Sequence, residues 1–427
     1  MMKKRLWSRW ILALAVVWPF MAAAHDRVRE KENFDFDWKF ILNADDQANA
    51  GMQVSETGWQ DVQLPHDWSI SQNFDPKLSG SNGHLPGGIG WYRKMFRVDK
   101  KDKGRRIAVL FDGIYSRSDV YVNGQHLGFR PYGFCYQEYD LTPYLNYGAE
   151  NVLAVRVNNP LEHDSVARWY TGAGIYRHAW LVKTAEVHVA SYGTYVTTPV
   201  VTAERAEVRV RTSVANEAER TKTLSVRQQI TDGEGRTVVQ SGKQALQVAA
   251  GTADTEHTLK IPRPQLWDTE HPYLYTLHTA VYDGRKLVDT YETVFGVRTC
   301  EFTPDRGFLL NGKPLKLKGF CLHQDDASLG TALPLRSMER KLEICKEYGV
   351  NAIRCSHNQP SPEFLDLCDR MGFVVIDEAF DKWKSGYYAQ YFDAWWQEDL
   401  KNMLVRDRNH PCVVLWSIGN ELQEAWD

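Results

Sequence analysis

The apolar residues of this chain change their period once, near residue 302, and that change restricts the folds open to it. Before it they recur mainly every second residue, in short runs divided by Gly, Pro and Asn, with helical periodicity nearly absent. Residues 106–111 and 118–122 read as strands, the second running into Asn123-Gly124, a strong hairpin signal. Over residues 151–158, Leu153, Val155 and Val157 alternate with Ala154, Arg156 and Asn158, as one buried face requires. So many short strands predict a β-sandwich of the jelly-roll kind over residues 26–185. A second β region follows over residues 186–300, where Val208, Val210, Thr212 and Val214 alternate with polar residues. With its turn at Thr231-Asp232-Gly233-Glu234-Gly235, this region fits an immunoglobulin-like β-sandwich. Its aromatic segment, residues 266–277, is read as core packing.

Beyond residue 302 the pattern becomes strand, helix, strand. A first strand is expected over residues 315–321, then a helix over 337–348 with Met338, Leu342, Cys345 and Tyr348 on one face and Gly349 ending it. A second strand over 352–356 precedes Ser361-Pro362, a good N-cap and first-turn pair for a helix that stops at Met371-Gly372. A third strand, 373–379, is apolar on both faces, as a buried parallel strand should be. A helix over 392–409 stops at His410-Pro411, before a fourth strand over 413–418. Such units begin either a (β/α)8 TIM barrel or an open doubly wound sheet. No Gly-rich phosphate loop follows the first strand, which disfavours a nucleotide-binding sheet. The expected fold is therefore a jelly roll, an immunoglobulin-like sandwich and, over residues 301–427, the first half of a TIM barrel.

With 51 Lys and Arg against 54 Asp and Glu, the chain has a formal charge of -3 and no basic field for phosphate backbones or anionic lipid. Nucleic-acid binding is not expected. The 15 Trp and 20 Tyr suit a protein that stacks flat faces on sugar rings. Residues 1–24 read as an export signal: Lys3, Lys4, Arg5 and Arg9, an apolar run from Trp10 to Phe20, then Ala22-Ala23-Ala24. The apolar run is short for a membrane span, so a periplasmic or secreted protein without a stable membrane anchor is expected. Seven cysteines without a CxxC pair read as buried free thiols rather than a disulfide framework or a metal site.

Barrel enzymes place chemistry at the C-terminal ends of their strands. Those ends here carry His323, then Arg354 and His357, then Asp377 and Glu378, then Asn420-Glu421. Singly each suits a loop or a buried hydrogen bond, but together they suit a pocket. Glycoside hydrolysis requires one carboxyl group to protonate the leaving oxygen and a second to act at the anomeric carbon. Glu421 follows the apolar run Val413-Val414-Leu415-Trp416, so partial desolvation should raise its pKa toward neutrality, as a general acid requires. Asn420 suits a hydrogen bond to a sugar hydroxyl, and Arg354 suits holding the second carboxylate ionised.

Several runs carry a more specific likeness. Gly319-Phe320-Cys321-Leu322-His323, Asn351-Ala352-Ile353-Arg354-Cys355-Ser356-His357, Val375-Ile376-Asp377-Glu378-Ala379, Arg406-Asp407-Arg408-Asn409-His410-Pro411 and Trp416-Ser417-Ile418-Gly419-Asn420-Glu421 resemble successive signatures of the family 2 glycoside hydrolases. Upstream, Leu64-Pro65-His66-Asp67-Trp68, Gly90-Trp91-Tyr92-Arg93 and Gly172-Ala173-Gly174-Ile175-Tyr176-Arg177 are similar to that family's sugar-binding domain. The resemblance implies a retaining exo-β-glycosidase acting on a β-linked oligosaccharide or glycoside, with Glu421 as acid/base, Asn420 binding a hydroxyl and Arg354 supporting the nucleophile. It implies sugar contacts at His323 and His357, and assigns Asp377, Glu378 and Trp416 to the substrate pocket. The implied nucleophile is a Glu on a later barrel strand, after Asp427. Where magnesium-dependent β-galactosidases carry metal ligands, this chain has Phe380-Asp381-Lys382-Trp383-Lys384, and Arg168 falls near a sodium-associated Asp. No metal and no other cofactor is therefore expected, and Arg168 with Trp169 is instead a candidate to reach the substrate. A β-galactosidase is expected, with β-glucuronidase, β-mannosidase and a non-catalytic carbohydrate-binding fragment as alternatives; the oligomeric state stays open.

Overall fold

Asn123 and Gly124 both adopt left-handed φ, +50° and +84°, the pairing of a type I′ turn, so Ser118–Val122 folds back on Gln125–Arg130. The structure, a computed structural model, describes residues 28–42, 45–159 and 167–422. The proposed export segment, residues 1–24, lies outside them. In the first domain a six-stranded antiparallel sheet runs in the order Gln60–Val62, Trp38–Leu42, Gly88–Arg97, Glu150–Asn159, Ser118–Val122, Gln125–Arg130. It packs on a four-stranded sheet of Glu30–Asn33, Ala179–Thr184, Arg106–Phe111 and Gln137–Asp140, and Trp38, Tyr92, Val155, Val109 and Leu181 meet in the core between them. The Glu150–Asn159 strand is buried on both faces rather than one, because the turn Gln47–Ala50 brings Ala50 over Trp91 and Ala154.

The second domain pairs Val187–Val201, Arg205–Asn216 and Gly251–Pro262 in one sheet. The other contains Thr237–Gln240, Lys222–Thr231, Tyr275–Asp283 and Lys286–Phe295, with Gln244–Val248 beside Lys222–Thr231. Val208, Val210, Thr212 and Val214 all point inward, as their alternation predicts. The aromatic segment divides between two cores: Tyr275 stays in the sandwich, whereas Trp267 enters the core of the next domain and donates to the Asp369 carbonyl at 2.8 Å.

A small antiparallel sheet, Cys300–Thr303, Gly307–Leu310 and Lys313–Pro314, precedes the parallel strands. The first of those, β1 (Gly319–Leu322), is shorter than the alternation suggests, because Asn351 occupies the backbone before it, accepting from Lys318 N at 2.9 Å and donating to Lys316 O at 3.0 Å. Then come α1 (Leu335–Glu347), β2 (Ala352–Cys355), α2 (Pro362–Met371), β3 (Val374–Glu378), α3 (Ala389–Asp407) and β4 (Val413–Ser417). The four strands are parallel in the order β1-β2-β3-β4, the opening half of a (β/α)8 barrel. Ser361 caps α2 through a 3.3 Å bond from Phe364 N, and Gly372 ends it in the left-handed conformation at φ +72°. Met338, Leu342 and Cys345 of α1 are buried, but Tyr348 is 79% exposed, because the helix ends at Glu347 and Tyr348 leaves its periodicity. All seven thiols are free; five are buried, Cys300 is half-buried and Cys321 is exposed. Among the described residues no helix is long and apolar enough to cross a membrane.

Candidate active site

Side chains alternate along a strand, and parallel partners in register share a face. Arg354 on β2 pairs in register with Ile376 on β3, so Arg354, Ile376 and Glu378 point to the inner face. Leu415 on β4 pairs with Ile376, which puts Ser417 inward as well. This set makes a dense polar knot. The Arg354 guanidinium donates to both oxygens of Glu378, at 3.1 and 2.8 Å, and to Asn420 Oδ1 at 3.0 Å. His357 Nδ1 lies 2.7 Å from Glu378 Oε1, and Ser417 Oγ donates to Oε2 at 2.6 Å. Burial alone would raise the Glu378 pKa, but the bonds from His357, Ser417 and Arg354 outweigh it and hold the carboxyl below its ordinary value. Its lone pairs are fully engaged and the residue is wholly buried.

The first domain completes the cleft. Trp169 stacks on His323 with ring centres 5.2 Å apart and planes 4° from parallel, and meets His357 edge-on at 5.5 Å. The His323 ring is fixed by its Nδ1, 2.7 Å from the Ser356 carbonyl. Arg168 spans two carboxylates, reaching Asp381 Oδ1 at 3.1 Å and Glu421 Oε2 at 3.0 Å. Asn420 donates to the same Asp381 oxygen at 2.8 Å, and Lys382 reaches Glu421 Oε2 at 2.8 Å.

Three expectations are corrected by these positions. Glu421 does not sit in a desolvating pocket: its side chain is 57% exposed, at φ +49°, and first Lys382, then Arg168, hold its pKa below the ordinary value. Asp377 and Trp416 are register partners on the outer, helix-facing side of the sheet, because they alternate with Glu378 and Ser417. Asp377 is fully buried there, and burial followed by the neighbouring Asp407 charge pushes its carboxyl well above its ordinary range. Glu378 is in the site but closed to a substrate, and the carboxylate that Arg354 holds ionised is this one. The structure therefore brings together Arg168, Trp169, His323, Arg354, His357, Glu378, Asn420 and Glu421, and leaves Asp377 and Trp416 outside.

Ser417, Asp381 and the role of Lys382 escaped the sequence reading. Strand alternation back from Gly419 is a signal for Ser417. None exists for Lys382, whose partner is 39 residues away. Behind the sheet, Asp369, His410 and Cys412 bring ligand-type atoms within 4.8 Å of one another, but these are joined by hydrogen bonds, His410 Nδ1 to Asp369 Oδ2 at 2.6 Å and Cys412 N to Asp369 Oδ1 at 2.9 Å.

The chain has counterparts among known proteins. Three family models match in succession: the glycosyl hydrolases family 2 sugar binding domain over residues 32–185, glycosyl hydrolases family 2 over 187–298, and the family 2 TIM barrel domain over 303–427. The chain belongs to glycosyl hydrolase family 2. Within the family it is 46% identical over 405 residues to the beta-galactosidase BoGH2A of Bacteroides ovatus, covering 93% of this chain and 47% of that protein. It is 36% identical to a putative beta-glucuronidase of Formosa agariphila, covering 92% of this chain and 37% of the relative. The crystal structure of a family 2 member from Bacteroides cellulosilyticus superposes with a TM-score of 0.87 at 42% identity, covering 92% of this chain and 52% of that one. The chain thus spans about half the length of the family 2 relatives it matches, 47% in the first case. In this chain the segment matched by the sugar binding domain lends Arg168 and Trp169 to the mouth of the parallel strands.

Proposed function

We propose that this protein is an exported retaining exo-β-galactosidase with Glu421 as its acid/base. The observation that carries the reading is the chain of contacts from Glu378 through Arg354 to Asn420, which fixes the residue before Glu421 at the barrel mouth. Asn420 shares Arg354 with Glu378, Glu378 also holds His357, and His357 meets the Trp169–His323 pair edge-on, a set that carries hydroxyl-binding groups. Glu421 stands exposed at the rim, where Lys382 and Arg168 both hold its Oε2. Glu378 cannot serve as nucleophile, because its oxygens are saturated. The second carboxylate that retention requires is assigned to a later barrel strand. The galactoside assignment rests on the 46% identical relative named a beta-galactosidase. A β-glucuronidase is the second reading, favoured by a relative of that name at 32% identity.

The test is hydrolysis of aryl β-galactoside and aryl β-glucuronide by the protein expressed from its gene, wild type and Glu421→Ala. The variant should lose turnover of galactosides with poor leaving groups, by about 100-fold or more, yet retain the first step on an activated aryl glycoside, which needs little acid assistance. Equal loss on both would remove Glu421 from the acid/base role. Preference for the glucuronide would replace the sugar assignment, and sugar binding without turnover would leave a carbohydrate-binding protein.

A further inference from the structure

We infer that Asp67 is a positioning residue that holds the Trp169–His323 wall of the cleft from the side of the sugar-binding domain. The carboxylate is buried, and its two oxygens divide their work. Oδ1 serves its own domain, accepting from Ser69 N at 3.1 Å and Ala173 N at 3.0 Å. Oδ2 lies at the seam with the barrel domain, accepting from Tyr170 OH at 2.8 Å, Thr331 N at 3.0 Å and Thr331 Oγ1 at 3.1 Å. Tyr170 is the chain neighbour of Trp169, and Thr331 lies in the loop between β1 and α1 that His323 opens. One oxygen thus ties the residue after Trp169 to the loop after His323, across a domain seam where Asp67 and Thr331 are 264 residues apart in sequence.

The approach is close enough to dictate residue types. Gly172 and Gly330 come from the two different domains, both at φ +64°, and a Cβ on either would stand 2.4 Å from the same Asp67 Oδ2. A neutral amide at position 67 separates the two roles. Asn can still accept from Ser69 and Ala173, but it then presents an NH2 group to three donors. Turning the amide over breaks the other pair instead. Asp67→Asn should therefore free the cleft wall while the sandwich core, which Asp67 does not join, remains packed.

This inference rests on the proposed glycosidase reading for its functional meaning, but its first test does not. Amide hydrogen exchange on the 427-residue chain should show about 10-fold or faster exchange over residues 167–173 and 323–331 together in Asp67→Asn, with the sandwich strands unchanged. Tyr170→Phe, which removes a single donor, should give a smaller rise in the same two segments, and it serves if Asp67→Asn does not fold. Exchange rising only near residues 66–69, or in one segment without the other, would overturn the latch. In the protein that turns over aryl galactoside, Asp67→Asn should lower kcat/KM about 100-fold, as misplacing a binding wall does. His323→Ala combined with it should lose no more than the worse single variant, since Asp67 acts through that wall. Losses that multiply would also overturn it. Absence of turnover in every form, with the exchange result intact, would defeat the glycosidase reading and leave the latch standing.

Discussion

A general acid must carry a proton when the substrate arrives, and both charged groups that touch Glu421 oppose this. Lys382 and Arg168 stabilise its carboxylate, lowering its pKa, and Asp381 partly offsets them by engaging Arg168 and standing 3.7 Å from Lys382. The alkaline limb of a kcat/KM profile reports the essential acid of the free enzyme. Removing a cation raises the pKa of that acid, so Lys382→Met should move the alkaline limb to higher pH, and Arg168→Gln should move it the same way. Lys384, which faces Asp393 instead, is the control, and its Met variant should leave the profile in place. A limb that stays put in Lys382→Met, or moves down, would show that Glu421 is not the titrating acid. Sequence alone exposed Asn420-Glu421 but misjudged its surroundings. The apolar run before it suggested burial, whereas left-handed backbone at Glu421 turns the side chain outward toward cations contributed by other segments.

At the scale of elements, α2 was readable to both ends because these are written in local chemistry, whereas α3 begins at Ala389, before the expected residue 392, with no side-chain cap to mark it. Ser361 and Gly372 bound α2 where cap rules place them, and Ser361→Ala should cost about 1 kcal/mol in urea unfolding. The parallel strands were readable as strands but not in the direction of each side chain. Taking every polar residue at a strand end as a pocket residue ignored alternation, which sends Asp377 and Trp416 outward while Glu378 and Ser417 point inward. The turn between α3 and β4 adds a pH-dependent tie that motif reading noticed without explaining. Burial would lower the His410 pKa, but Asp369 on α2 overrides it and raises it from 6.5 to about 9. A His whose pKa is raised by folding contributes stability fully below its unfolded value, and that contribution fades as pH rises through its folded value. Unfolding free energy should therefore fall between pH 6.5 and about 9, by on the order of 2 to 3 kcal/mol, and His410→Asn should remove that slope. A slope unchanged in the variant would assign the dependence elsewhere.

At the scale of the molecule, the change of period near residue 302 separated the β sandwiches from the strand-helix units, while the seams between domains left no such mark. Trp267 leaves the immunoglobulin-like sandwich for the barrel core, Arg298 donates to Val413 O at 2.6 Å, and Arg130 of the first domain reaches Asp399 of α3 at 2.6 Å. These long-range partners leave no local pattern to read. Where no such partner exists, the surface shows it. Among the described residues nothing pairs with the outer edge of β1 or of β4, and Phe320, Leu415 and Ile418 on or beside them are 52%, 38% and 51% exposed. Open parallel edges with apolar side chains are templates for association. The 427-residue chain should therefore self-associate as its concentration rises in sedimentation velocity. Limited proteolysis should cut first beyond residue 302, where edges are open, and spare the two sandwiches, whose cores are closed. Phe320→Lys should weaken the association without altering the sandwiches, since a charge on an exposed edge disfavours pairing. A chain that stays monomeric at high concentration, with the region beyond residue 302 as resistant to protease as the sandwiches, would mean that these edges are covered by segments outside the described residues.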